Sequence, residues 1–436
     1  MDLDKLYSHY KNSTGVCTDT RKIKTGEIFF ALRGENFNGN KYALDAIQKG
    51  ATLAVIDDPT FKINDSHYFL VNDALETLQD LAHVHRKTLK IPVIAITGSN
   101  GKTTTKELIK AVLSTTYDTI ATEGNLNNHI GVPLTVLSIK DEHEMAIVEM
   151  GANHRNEINQ LCKFALPNFG LITNIGSAHL EGFGSPEGVK KAKAELFEFL
   201  EPFGGRCFVN MSDYKVSEIA YFIQKVTTYG TGKFYDINGK ALPSDDYLKI
   251  VWHPKKPGKA APIPDPVIFQ TQLIGRYNLD NVLAAIAIGV KFNVSTENMK
   301  KAIEAYRPSN NRSQIIKKDS TTIILDAYNA NPSSMEVALR SLEKISAKNK
   351  VAILGEMFEL GEYSSAEHEK IADLAASLNL KHLIFVGKEF EPFKSKCTHY
   401  FPDNIETKAW FDLQDFSDTT ILIKGSRGVA LEKILE

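Results

Sequence analysis

Short runs of β-branched and aromatic residues recur along the chain, each closed by a polar or glycine-rich turn. Residues 28–32, 54–56, 91–97, 145–149, 170–174 and 206–210 read as strands, and so do 321–326, 350–354, 382–386 and 420–424. Between them, residues 41–49, 75–87, 189–197 and 282–290 carry apolar positions at helical spacing, as do Leu108, Ile109, Val112 and Leu113. Strand–helix alternation of this kind predicts α/β architecture, with parallel sheets covered by helices. The pattern breaks twice. Residues 230–272 are polar and proline-containing, with strand-like patches at 247–252 and 266–269, and read as a β-rich excursion. Residues 307–312, Arg-Pro-Ser-Asn-Asn-Arg, read as a linker. Three domains are therefore expected: a small α/β unit over 1–88, a central parallel-sheet domain over 89–308, and a Rossmann-like α/β domain over 309–436.

Composition narrows the class. A chain of 436 residues can bury two or three cores, and 43% apolar with 24% charged residues is ordinary for a soluble globular protein. A net charge of -2 gives no electrostatic case for binding nucleic acid or an anionic membrane. The four cysteines, Cys17, Cys162, Cys207 and Cys397, form no CxxC pair and read as free thiols in a reducing compartment. The opening Met-Asp-Leu-Asp-Lys lacks the order of a signal peptide, and no run reaches transmembrane length, so a cytoplasmic protein is expected. Monomer is the default expectation.

The candidate chemistry starts at Thr97-Gly98-Ser99-Asn100-Gly101-Lys102-Thr103-Thr104, between a strand run and a helix. Strand, glycine turn, Lys-Thr and helix form the layout of a phosphate-binding loop, in which backbone N–H groups at a helix N-terminus face the anion. Lys102 is placed to reach the outer phosphates and the Thr103 hydroxyl to hold Mg²⁺. Ala95 stands where the usual pattern has its first glycine, so the loop is short. ATP with Mg²⁺ is the expected nucleotide and ion. Ligands of open α/β sheets gather at the carboxyl ends of strands. Glu149 ends one predicted strand, Asn174 another, and His179 follows shortly after. A carboxylate at that edge suits Mg²⁺, which takes hard oxygen ligands. The third domain has no GxGxxG fingerprint and no second phosphate loop, so a nicotinamide role has no support. Two N-terminal turns, Thr18-Asp19-Thr20-Arg21 and Gly34-Glu35-Asn36-Phe37, read from their residues alone as surface loops.

Taken in order, these motifs resemble the Mur ligase family over essentially the whole chain. The more specific ones are Gly124-Asn-Leu-Asn-Asn-His-Ile-Gly-Val-Pro133, Glu149-Met-Gly-Ala-Asn-His154, Leu180-Glu-Gly-Phe-Gly184 and Asp326-Ala-Tyr-Asn-Ala-Asn-Pro332. They are most similar to the branch that adds D-alanyl-D-alanine to UDP-N-acetylmuramoyl-tripeptide. The Asp-Asn-Pro-Arg signature of the diaminopimelate-adding branch is absent. The resemblance implies an ATP-dependent amide ligase working through an acyl phosphate, with Lys102, Glu149, His179 and Lys193 catalytic. It implies Mg²⁺ at Thr103 and Glu149, with a second ion at His179. Lys193, by its helix alone a solvated lysine, matches the family's carbamylated lysine, whose carboxylate-like group is implied to bridge to Mg²⁺. Asn278 and Asn281 match positions near adenine, and Arg312 and Asp326 match ATP contacts. Asn311 precedes Arg312 where the family usually has glycine. The two N-terminal turns match UDP-binding loops. Asn127 and Asn128 are implied substrate contacts, and Asn329, Asn331 and residues 424–427 are candidates for the dipeptide side, where an ordinary loop reading stays open. Two alternatives stand beside this reading: another amide ligase of the superfamily, such as a third-residue-adding or folate-type enzyme, and a non-catalytic nucleotide-binding module.

Overall fold

A computed structural model describes residues 3–63, 66–244, 247–255 and 264–436. Among these residues the strands form three main sheets. The N-terminal sheet is fully parallel, in the order Gly15–Cys17, Glu27–Phe30, Leu53–Ile56, Tyr68–Leu70. The central sheet has nine strands. Its parallel part runs Thr119–Ala121, Met145–Glu149, Val93–Thr97, Phe169–Ile172, Arg206–Asn210, Val226–Gly230, Ile237–Leu242. Lys249–His253 and Val267–Gln270 then extend it antiparallel. The expected β-rich excursion is thus an edge added to the central sheet; residues 245–246 and 256–263 within it lie outside the described residues. The third sheet has six strands in the order Gln314–Lys318, Thr321–Asp326, Thr419–Lys424, Asn349–Gly355, His382–Val386, His399–Phe401. All are parallel, as expected, except the first, an antiparallel edge strand. Among the described residues no helix is long and apolar enough to cross a membrane.

Short edge strands such as Gly15–Cys17, Thr119–Ala121 and His399–Phe401 escaped the sequence pattern, as did Val226–Gly230 and Gln314–Lys318. Three residues carry no period, and an edge strand needs few apolar side chains. The central strands Val93–Thr97 and Met145–Glu149 are buried along their whole length, as continuous apolar runs flanked by helices demand. Val93–Thr97 lies between Met145–Glu149 and Phe169–Ile172. The chain therefore reverses direction across the sheet beside the phosphate loop, where a crevice opens.

The N-terminal unit is held to the central one by helix Ala74–Thr88, capped by Asp73, whose carboxylate accepts from Glu76 N at 2.8 Å. Arg86, in its last turn, is only 5% exposed, without a carboxylate among its recorded partners. Its guanidinium donates to Ala165 O at 2.8 Å, Leu89 O at 3.0 Å, Leu166 O at 3.1 Å and Asn168 Oδ1 at 3.1 Å. Five donors in a rigid fork suit a buried set of carbonyls. His85 adds a contact of 2.8 Å from Nε2 to Ile139 O, and Tyr10 donates to Leu137 O at 2.6 Å. Arg86→Ala, which strands these carbonyls, is expected to lower unfolding free energy by about 3 kcal/mol, read as a shifted urea midpoint.

Candidate active site

The turn after Val93–Thr97 is shaped by two glycines with positive φ. Gly98 has φ of 144°, and a Cβ there would stand 2.0 Å from Thr173 Oγ1. Gly101 has φ of 77°, and a Cβ there would meet Asn281 Oδ1 at 2.9 Å. Both positions need glycine for conformation and for space. Helix Lys102–Leu113 starts directly after, so its free N–H groups open into the crevice. Lys102 Nζ lies back on the loop, donating to Gly98 O at 2.7 Å and Ser99 O at 3.3 Å. Burial depresses its pKa, opposed by the Glu149 carboxylate.

Glu149, ending the neighbouring strand, is 1% exposed. Its Oε1 accepts from Thr103 Oγ1 at 3.2 Å and Asn127 Nδ2 at 2.8 Å. Oε2 has no hydrogen-bond partner; Lys106 Nζ stands 3.8 Å away and is itself bound to Thr122 O at 2.7 Å. Lys106 was not singled out in the sequence. Its position one turn beyond Thr103, on the same helix face, is the signal that could have found it. Among the described residues no cluster of three or more His, Cys, Asp or Glu could hold a metal. A cation at this edge would share Thr103, Glu149 and phosphate or water oxygens. That donor set of few hard oxygens fits Mg²⁺, and the unpartnered Oε2 is oriented by its neighbours without being used up by them.

Lys193 sits on helix Pro186–Leu200 and is buried, 1% exposed, with no hydrogen-bond partner for Nζ. The plain reading of a solvated helix face is overturned. Phe183 lies 5.3 Å beneath the ammonium. Burial first, then Lys102, pull its pKa down to about 7, against the opposing pull of Glu195 and Glu157. His179 stands at φ 53° and pairs through Nδ1 with Glu359 of the third sheet's unit. A carboxylate of the third unit is therefore among its contacts.

Across the crevice, Asp326 ends the strand Thr321–Asp326 and binds Lys424 Nζ at 2.6 Å. Lys424 is 2% exposed and also donates to Asn329 O at 3.1 Å. Asp326 Oδ1 accepts from Ser313 N at 3.0 Å, which holds the turn carrying Arg312. Arg312 lies 3.6 Å over the Tyr328 ring, and Arg427 lies 5.8 Å from the same ring. Asn311, at the position where the resembled family usually has glycine, adopts φ 56°. Asparagine enters this left-handed region readily, so the turn is kept.

A cavity of about 820 Å³ joins these groups, lined among others by Lys102, Glu149, His179, Arg312, Asp326 and Lys424. Ser99, Asn100, Gly101, Thr104, Asn127, Asn128, Asn278, Asn281, Asn329 and Asn331 also border it. Asn278 and Asn281 serve the scaffold too: Asn281 Oδ1 accepts from Thr105 Oγ1 at 3.0 Å, and its Nδ2 donates to Asn278 Oδ1 at 2.9 Å. Thr18, Asp19, Thr20 and Arg21 do not reach the cavity, and Arg21 folds onto Asp19 at 2.8 Å. Gly34, Glu35, Asn36 and Phe37 form the tip of a separate hairpin, where Phe37 stacks on Tyr42 with ring centroids 5.5 Å apart.

Gly98→Ala tests the loop geometry. It is expected to weaken ATP binding about 100-fold or more, because the methyl must displace Thr173 or the loop, measured by titration calorimetry.

Three family models cover most of the chain: Mur ligase family, catalytic domain, over residues 12–90; Mur ligase middle domain over 96–289; and Mur ligase, glutamate ligase domain, over 311–427. The UDP-N-acetylmuramoyl-tripeptide–D-alanyl-D-alanine ligase of Bacillus subtilis is 34% identical, over 97% of this chain and 92% of that protein. Its Escherichia coli counterpart is 32% identical, over 96% of this chain and 92% of that protein. The crystal structure of MurF from Acinetobacter baumannii superposes with a TM-score of 0.86 at 28% identity, over 99% of this chain and 97% of that one. The three-sheet architecture agrees with these likenesses, and the chain belongs to the Mur ligase family.

Proposed function

We propose that this chain is an ATP-dependent ligase that joins D-alanyl-D-alanine to UDP-N-acetylmuramoyl-tripeptide, giving the UDP-linked pentapeptide of peptidoglycan synthesis. One observation carries the reading: Lys102 and Glu149 of the central unit line one cavity with Arg312, Asp326 and Lys424 of the third. Relatives bearing that name match nearly the full length of the chain. The proposed division of labour follows the expected boundaries, with 1–88 for the UDP end, 89–308 for ATP and 309–436 closing over both. The exposed Phe37–Tyr42 pair offers the N-terminal unit a flat aromatic surface for the uridine end.

A carboxylate oxygen of the tripeptide attacks the γ-phosphorus and the bond to the β-phosphate oxygen breaks, giving an acyl phosphate and ADP. The dipeptide amine then attacks the acyl carbon, loses a proton, and phosphate leaves. Such a transfer needs charge neutralised more than it needs a covalent catalyst. When bound, Mg²⁺ neutralises phosphate oxygens at the Thr103–Glu149 edge. Lys102 turns from its own loop carbonyls to the outer phosphates. Arg312 and Lys424 bring positive charge from the opposite wall, each held by its neighbours before nucleotide arrives. Lys193 is proposed to act as a carbamate: a lysine pKa near 7 leaves much of the amine neutral at cellular pH, and a neutral amine is what CO₂ adds to.

Purified protein is expected to release phosphate from ATP only when both UDP-N-acetylmuramoyl-tripeptide and D-alanyl-D-alanine are present. Release with a free amino acid in place of the dipeptide, and none with the dipeptide, would assign it to another ligase of the family. For Lys193, neutral amine rises with pH through about 7. Activation by added bicarbonate should therefore grow from pH 6 to pH 8. Lys193→Ala should lose about 100-fold in kcat, with partial recovery on adding a short carboxylic acid; full activity without it would refute the carbamate.

A further inference from the structure

The tip of the phosphate loop does not end in solvent. Asn100 Nδ2 donates to Ser333 Oγ at 2.9 Å, Ser333 Oγ donates to Asn331 Oδ1 at 2.9 Å, and Asn331 Nδ2 donates to Asn100 Oδ1 at 2.8 Å. These three bonds close a ring between the central and third units. Its members on the third side begin helix Pro332–Lys344, where Asn331 also forms a capping box with Ser334. Ser333 also presses on a second central loop. A Cβ on Gly176 would lie 2.5 Å from Ser333 Oγ and 3.1 Å from its Cβ. Gly176 opens the segment that carries His179, and Gly176 N donates to Ser99 Oγ at 2.9 Å.

The far end of that segment is held from the same side. Glu181 N donates to Glu359 O at 3.2 Å, Tyr363 OH donates to Gly184 O at 3.3 Å, and Gly361 faces the Glu181 side chain. Buried His368 fixes the holding turn, accepting from Met357 N at 2.9 Å while its Nδ1–H donates to Ser364 O at 2.8 Å.

We infer that Ser333 is a positioning residue that pins the third domain to the phosphate loop and to the His179 segment at once, so that docking of the domain and placement of both loops are one event. Asn331, expected on the dipeptide side, belongs to this pin. The inference rests on the ligase reading for its kinetic consequence but not for its geometry. A serine serves here because one hydroxyl both accepts from Asn100 and donates to Asn331, within the space that a glycine at 176 leaves.

The test uses Ser333→Ala, Gly176→Ala and the double variant in the full chain. Ser333→Ala leaves both capping-box bonds intact, and Gly176→Ala inserts its methyl where the Ser333 hydroxyl lies. Each single change is expected to lower kcat about 10-fold, with ATP affinity within about twofold and Tm unchanged. Small-angle scattering should show the third domain less closely docked in each. The double variant should be no slower than Gly176→Ala alone, because the methyl then fills the vacated space. Wild-type kcat in Ser333→Ala, or losses that multiply in the double variant, would overturn the pin. If Ser333→Ala does not fold, Gly176→Ala decides alone: undiminished kcat and unchanged scattering refute the proposal. Absence of two-substrate turnover in the wild type would instead refute the ligase reading, and the scattering comparison would still judge the pin.

Discussion

The buried carboxylate of Glu149 is the constraint on which the site depends. A charge at the end of a fully buried strand is costly unless other groups answer it. Thr103 and Asn127 occupy one oxygen, and Lys106 stands beyond hydrogen-bond length from the other. The carboxylate is thereby fixed in place with one oxygen free of hydrogen bonds. The phosphate loop, the loop carrying Asn127 and the helix Lys102–Leu113 are all positioned by contacts with this one group. Removing it would leave Lys106 as a buried ammonium bound only to Thr122 O.

A similar economy of charge operates on the opposite wall. Lys424 is buried against Asp326, whose second oxygen holds the turn of Arg312, while Arg312 lies flat on Tyr328. Each cation is held by a partner that also fixes its direction, so little ordering remains when an anion enters. Lys193 differs. It is buried over the Phe183 ring with no hydrogen-bond partner, and burial lowers its pKa. Burial without a hydrogen-bond partner shifts its balance from ammonium toward the neutral amine.

Legibility in the sequence followed the strength of the local pattern. The strand–turn–helix around Lys102 was readable because glycine conformation, β-branching and helical period all point the same way over a dozen residues. Glu149 and Asp326 were readable because each ends an apolar run, and strand ends collect ligands in this class of sheet. Edge strands such as His399–Phe401 were not, and neither was the antiparallel pairing of Gln314–Lys318. Pairing direction depends on the partner strand, which local periodicity does not encode. Helical periodicity alone pointed Lys193 to solvent, and the structure buries it.

By itself, then, the sequence determined an α/β protein with a nucleotide loop, a carboxylate at a strand end and a set of motifs in the order of one family. These are properties of contiguous residues, written in spacing and side-chain type. Only the tertiary structure decided that His179 faces Glu359, that Asn281 braces the loop from behind, and that Ser333 meets Asn100 and the Gly176 segment together. Asn100 and Ser333 are separated by 233 positions in the chain, and nothing local to either names the other. Such contacts arise from how three sheets pack against one another, and that packing brings polar groups within hydrogen-bond reach across domains.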